Sequence, residues 1–299
     1  MPAPASIPGI VDVMVLRGTR GAAEPDLVIE IPHGATETVD FTRVADRLTS
    51  PLPEGLVDFF HVNTDAGAPE LAAEAAARLV AADATRTVAI LRCRVPRTFL
   101  DCNRRLDATP EDFKAGKVTP GTMPWITSPA DRALLRDAYD RYVGAVDAAA
   151  ASLRADGAFL MLHTYAPRTV DVQIDADIVK NLRRAYEPDL AETWPLRPEL
   201  DVIGRAPDGS DLAPSAVVAA LRAALAPLGL TVADSATYPL HPSTLAYHRV
   251  LAHPGRALCL AVRRDLLAEP FAPFSQMNID AGKVARLAGP LATALGRFW

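Results

Sequence analysis

Two short apolar segments, far apart in the chain, each run straight into a histidine, and this pattern constrains the fold more than any other. Leu27-Val28-Ile29-Glu30-Ile31 is ended by Pro32 and leads into His33-Gly34. Ala158-Phe159-Leu160-Met161-Leu162 leads into His163-Thr164-Tyr165. Short runs that are rich in β-branched or large aliphatic residues, and bounded by turn signals, read as strands buried on both faces. A histidine that follows such a run sits at the carboxyl end of a strand.

The segments between these strands read as helices. Residues 66–82 are rich in Ala, Leu and Glu at helical spacing, and 87–91 follow as another strand. Residues 129–153 form a long helical pattern, with Ser128 as a cap, Pro129 in the first turn and Gly157 shortly after the end. Further helices are expected at 215–228 and 280–297, and further strands at 230–233 and 257–262. The alternation predicts an α/β fold of three layers, α/β/α, with a mixed, mostly parallel central sheet covered by helices on both faces. Residues 108–128 and 187–215 lack periodicity and are expected as surface loops framing a pocket.

Composition narrows the function. With 299 residues, 49% of them hydrophobic, and no compositional break, the chain reads as a single domain over 1–299. A net charge of -5 with scattered Lys and Arg argues against nucleic acid as a partner. No apolar run approaches the roughly 20 residues that span a bilayer, and the N-terminus lacks a basic-then-apolar leader, so a cytoplasmic location is expected. Cys93, Cys102 and Cys259 show no paired ligand spacing and are expected as buried thiols. The sequence carries no signal of oligomeric state.

In open α/β sheets ligands collect outside the carboxyl ends of strands, where His33 and His163 are both expected. Two imidazoles and one carboxylate are a common hydrolytic zinc set, leaving a position for water. Glu37, four residues after His33, and Asp65, in a turn before a helix, are candidates for the third ligand; local spacing favours Glu37. The alternative for each histidine is a hydrogen-bonded core or loop residue. An unrelated pocket on the same fold would place His33 and His163 more than about 5 Å apart, too far for one zinc with ligands at about 2.0–2.1 Å. Nearby in the chain, Arg97, Asn103 and Arg104 offer guanidinium and amide donors suited to a carboxylate, the alternative being a local pairing of Asp101 with an arginine.

Taken together these segments resemble the N-formylglutamate amidohydrolase family, which is similar in fold to the phosphorylase/hydrolase-like zinc carboxypeptidases and aspartoacylases. Ile31-Pro32-His33-Gly34 looks like the family's Pro-His-Gly metal loop, and Asp65-Ala66-Gly67-Ala68 like its acidic motif; the latter favours Asp65 over Glu37 as the third ligand. Residues 97–104 resemble a segment ending in Asp-Leu-Asn-Arg, with Cys102 in place of leucine. Leu162-His163-Thr164-Tyr165 resembles the second histidine motif, with Thr164 replacing serine and Met161 replacing aspartate. The resemblance implies one divalent metal, zinc, and a small-molecule carboxylate substrate. It also implies hydrolysis of an N-formyl or N-acyl amino acid, such as N-formylglutamate, in amino-acid metabolism. Arg97, Asn103, Arg104 and Arg263 are the expected substrate-binding residues.

One departure bears on catalysis. Residues 258–267 resemble a late strand of the form Glu-apolar-Arg-x-Asp-Leu, and the glutamate position holds Ala261. The family's glutamate is expected to carry protons to and from the reacting groups, which alanine cannot do. Loss of activity, an engineered substitution, or transfer of the role to Glu37 or Glu269 would each account for it. An inactive chain would remain a small-molecule binding protein. The other histidines, His61, His241, His248 and His253, are expected as surface or packing residues, with His241 and His248 the nearest to a pocket wall.

Overall fold

Strands that are apolar on both faces need cover on both faces, and the structure, a computed structural model describing residues 4–299, supplies it. Seven strands form one sheet: β1 (Val11–Arg17), β2 (Leu27–Ile31), β3 (Thr87–Cys93), β4 (Ala158–Tyr165), β5 (Leu200–Val202), β6 (Val232–Asp234) and β7 (Ala257–Arg263). Their spatial order is β1-β3-β2-β4-β7-β5-β6. The central strands β3, β2, β4 and β7 are mutually parallel. β1 runs antiparallel on β3 and β5 antiparallel on β7, while β6 lies parallel to β5. The sheet is thus mixed and mostly parallel, as expected.

Alternation along each strand divides the interior into two cores. Val28, Phe159, Met161 and Cys259 face one side and pack under the helix Pro129–Ala151. Leu27, Ile29, Ile31, Leu160 and Leu258 face the other, where the helices Ala68–Ala82, Ser215–Leu225 and Ala281–Leu295 lie together. This is a three-layer α/β/α arrangement. Cys93, Cys102 and Cys259 are all buried free thiols.

Several elements differ from the sequence expectation. Ser128 stands at the start of its helix but makes no capping bond; instead Asp131, in the first turn, accepts the backbone N–H groups of Thr49 and Ser50. β6 lies two residues later at its start than expected, and the region 187–215 contains β5, three residues too short to carry a period. The region 108–128 contains the helix Pro110–Ala115, capped by Thr109. β1 was not anticipated; it is an edge strand, and the Ser6 hydroxyl accepts the Val13 N–H at 2.8 Å, occupying part of the free edge. Among the described residues no helix is long and apolar enough to cross a membrane.

Glu30 is the one charged residue type in β2, 3% exposed, and its carboxyl accepts the Tyr142 hydroxyl at 3.0 Å. Burial pushes its pKa above the ordinary glutamate value. A raised carboxyl binds a proton more readily when folded than when unfolded, so its contribution to stability falls as pH rises from about 4.3 towards the folded pKa. Glu30→Gln is therefore expected to be more stable than the parent at neutral pH, with the difference shrinking as pH falls to about 4. Thermal unfolding across that range checks this, and a difference that does not change with pH would refute it.

Candidate metal and substrate site

The sheet brings the two histidine loops side by side. β2 and β4 are adjacent and parallel, so His33, just past β2, and His163, two residues before the end of β4, emerge at the same edge. Their ring centroids are 5.0 Å apart. The loop carrying Asp65 is tied to the first histidine by the Asp65 N–H, which donates to the His33 carbonyl at 3.1 Å. It is tied to the second by the Thr164 hydroxyl, which donates to the Ala66 carbonyl at 3.0 Å. Gly67 completes the turn at φ +88°, where a Cβ would meet Leu267 at 2.9 Å, so only glycine fits.

One oxygen of Asp65 lies 3.2 Å from His33 Nδ1 and 3.0 Å from His163 Nδ1. All three residues are buried, and each offers one ligand atom within 4.8 Å of the others. The second oxygen, Oδ1, is buried with no hydrogen-bond partner. Burial disfavours the ionised Asp65 carboxyl, but His33 and His163 overcome this and hold it below the usual carboxylate range. Burial lowers the pKa of His163, favouring a neutral ring with a lone pair to give.

Asp101 decides how His33 is oriented. Its Oδ1 lies 2.8 Å from His33 Nε2, and its Oδ2 accepts Arg97 at 3.0 Å and faces Arg104 at 3.2 Å. The Asn103 backbone N–H also donates to Oδ1 at 2.9 Å. Burial opposes ionisation of Asp101, and Arg104, His33 and Arg97 outweigh it, leaving the carboxyl well below the ordinary range. An ionised Asp101 can only accept, so Nε2 carries a proton, and Nδ1 is the ring nitrogen turned to the Asp65 carboxylate. Nδ1 and the carboxylate oxygen, 3.2 Å apart, are joined by a proton or by a cation that both can ligate. With the unpartnered Asp65 oxygen, this makes the donor set fit a divalent metal, whose ligand atoms at about 2.0–2.2 Å lie roughly 3.3 Å apart in a tetrahedron. Carboxylate–histidine pairs of this kind commonly back metal-ligating imidazoles.

The model of the N-formylglutamate amidohydrolase family matches residues 25–268, which include every residue of this cluster. The chain belongs to that family. Solved structures agree on the fold. An N-formylglutamate amidohydrolase from Ralstonia eutropha JMP134 is similar with a TM-score of 0.55 at 17% identity, over 96% of each chain. A gene product of Agrobacterium tumefaciens is similar with a TM-score of 0.50 at 19% identity, over 97% of this chain and 94% of that one. No curated protein matches this sequence.

The β7 strand reaches the site through Ala261. It is in register with His163 on β4 and lines the same pocket. Neither carboxylate considered as a substitute is brought there. Glu37 begins the helix Thr38–Ala45 and is held by Arg92 at 2.8 Å and Arg94 at 3.3 Å; Glu269 pairs with Lys283 at 2.5 Å. Both lie outside the pocket lining, in which Asp65 is the one carboxylate among the described residues. Arg263 is turned away onto Asp265 and the Arg197 carbonyl. None of His61, His241, His248 and His253 lines the pocket: His241 bonds to Ser243, His248 to the Pro242 carbonyl, and His253 stacks on Phe159.

The pocket, about 230 Å³, is lined by Arg97, Asn103 and Arg104 on the side of Asp101. The residues missed by sequence reading are Lys117, Arg168, Arg197, Arg264 and Tyr186; Tyr165, from the second histidine motif, and Tyr238 line the pocket as well. Most come from aperiodic loops. Arg264 had no local signal: β7 ends at Arg263 and a 3-10 turn begins, which breaks the strand alternation and turns the second arginine inward. Asp101→Asn keeps the size but weakens the hold on His33 Nε2. Metal affinity is expected to fall about 10- to 100-fold, measured by competition with a chelator; unchanged affinity would remove Asp101 from the site.

Proposed function

We propose that this chain is a zinc-dependent amidohydrolase that cleaves the amide of an N-formyl or N-acyl amino acid, N-formylglutamate being the reference substrate. The observation that carries this reading is the buried His33, Asp65 and His163 cluster, with one Asp65 oxygen unpartnered, in a pocket of small-molecule size. His33, Asp65 and His163 hold the metal, which when bound supplies polarisation of the scissile carbonyl and a water of lowered pKa. Asp101 keeps His33 in one orientation. Arg97, whose guanidinium comes within 3.5 Å of His33 Nδ1, is the group we assign to stabilising developing negative charge on the substrate. Asn103 and Arg104 hold the substrate's carboxylate.

Ala261 favours a second reading. With no proton-carrying side chain at that position, and Asp65 committed to two histidines, the chain binds the substrate without turning it over efficiently. The two readings separate in a hydrolysis assay over N-formyl and N-acetyl amino acids with added zinc. Under the first, the parent shows turnover that a chelator abolishes, and Ala261→Glu raises it by about 10²- to 10⁴-fold, the usual worth of a positioned acid–base group. A silent parent with an active variant makes the natural chain a binding protein. In parallel, His33→Ala and His163→Ala are each expected to lose bound zinc by elemental analysis, and unchanged metal content in both would refute the ligand set.

A further inference from the structure

The pocket that holds His33, Asp65 and His163 has an apolar wall. The helix Val57–Asn63 ends two residues before Asp65 and brings Phe59 and Val62 to the cavity. The helix Ile178–Ala185 adds Ile178 and Leu182, four residues apart and so on one face. Phe59, Ile178 and Leu182 are all buried. The Arg183 guanidinium donates to the Asp58 carboxylate at 2.7 Å, which ties the two helices together.

A third stretch completes the wall. In Val170-Asp171-Val172-Gln173-Ile174 apolar residues alternate with polar ones. Val170, Val172 and Ile174 are half-buried and line the cavity, while Asp171 and Gln173 are exposed and stand outside the lining. This is the period of a strand, yet the stretch belongs to no sheet, and among the described residues no backbone hydrogen bond reaches it. Its place is set by its apolar side chains, which pack at the border of the core. Being only half-buried, they keep apolar surface towards the cavity, and covering that surface would favour a bound apolar group.

A formyl group ends in a hydrogen and makes no use of such a wall. The amino-acid half of the substrate has polar partners in Asn103 and Arg104, which leaves the wall to the other half. The wall also starts close to the metal cluster, because Val62 stands three residues before Asp65.

We propose that this wall receives the acyl group of the substrate, which makes the protein selective for N-acyl amino acids with an aliphatic acyl group of several carbons over N-formyl ones. This rests on reading the pocket as an amidohydrolase site. Water is added across the C–N bond, its hydroxyl going to the acyl carbon and its proton to the amine. The products are an aliphatic carboxylate and a free amino acid.

Calorimetric titration of the zinc-loaded protein with acetohydroxamate and with hexanohydroxamate tests the wall without hydrolysis. A hydroxamate chelates zinc through its carbonyl and N–O oxygens and carries its alkyl group in the place of the acyl group. Hexanohydroxamate is expected to bind at least about thirtyfold tighter, the worth of three buried methylenes at roughly three- to fourfold each. Ile174→Asn, at a half-buried position outside helix and strand, is expected to narrow that ratio at least about fivefold, and Ile174→Leu to keep it. Val172→Asn repeats the measurement if Ile174→Asn fails to fold. Equal affinities, binding of neither hydroxamate, or a preference untouched by the asparagine variants overturns the proposal. N-formylleucine binding far more tightly than N-formylglutamate, with the hydroxamates equal, gives the wall to the amino-acid side chain and also overturns it. Hydroxamate preference with no hydrolysis of N-hexanoyl amino acids leaves the wall standing and removes the hydrolase reading. Hydrolysis of N-formylglutamate with equal hydroxamate affinities does the reverse.

Discussion

The contact between Asp101 and His33 Nε2, 2.8 Å long and fully buried, is the constraint on which the site depends. It orients the His33 ring with Nε2 towards Asp101 and thereby turns Nδ1 to Asp65 and the metal-ligand cluster. Everything around Asp101 serves to keep it ionised despite burial: two arginines and a backbone N–H converge on a carboxyl that would otherwise take up a proton. The same arginines border the pocket, so one buried anion organises both the metal ligands and part of the substrate wall.

The sheet makes that arrangement possible. Parallel neighbours present their carboxyl ends together, so loops after β2 and β4 meet although far apart in the chain. Alternation then directs Glu30, Met161, His163, Cys259 and Ala261 to one face and the aliphatic residues between them to the other. Ala261 has His163 as its register partner on one side and Asp201 on the other, but Asp201 spends its carboxylate on the backbone N–H groups of Ala236 and Thr237. The position is thus surrounded by polar groups already engaged, which is why no neighbouring carboxylate stands in for a glutamate there.

Charge in the pocket is distributed unevenly for a physical reason. Arg97 and Arg104 share the Asp101 carboxylate, whereas the hydrogen bonds of Arg264 and Arg197 go to carbonyls and hydroxyls, with the charge of Asp65 also acting on Arg264. Carbonyls and hydroxyls orient a guanidinium without cancelling its charge, leaving attraction available to a ligand.

The sequence by itself determined the three-layer fold, because uninterrupted apolar runs alternating with helical periods have few other ways to bury both faces. It also marked His33, Asp65, His163 and the 97–104 segment, since each lies in a short motif beside a strong strand or helix signal. Short β5 and the edge strand β1 escaped it, one too brief for a period and the other half-exposed. Local spacing favours Glu37 and the motif resemblance Asp65; tertiary structure keeps Glu37 out of the cluster, because Arg92 and Arg94 draw it away and sequence proximity says nothing about them. Tertiary structure alone separated Arg263 from Arg264, because where a strand stops and a turn begins is set by packing, and that boundary determines which of two adjacent arginines faces the pocket.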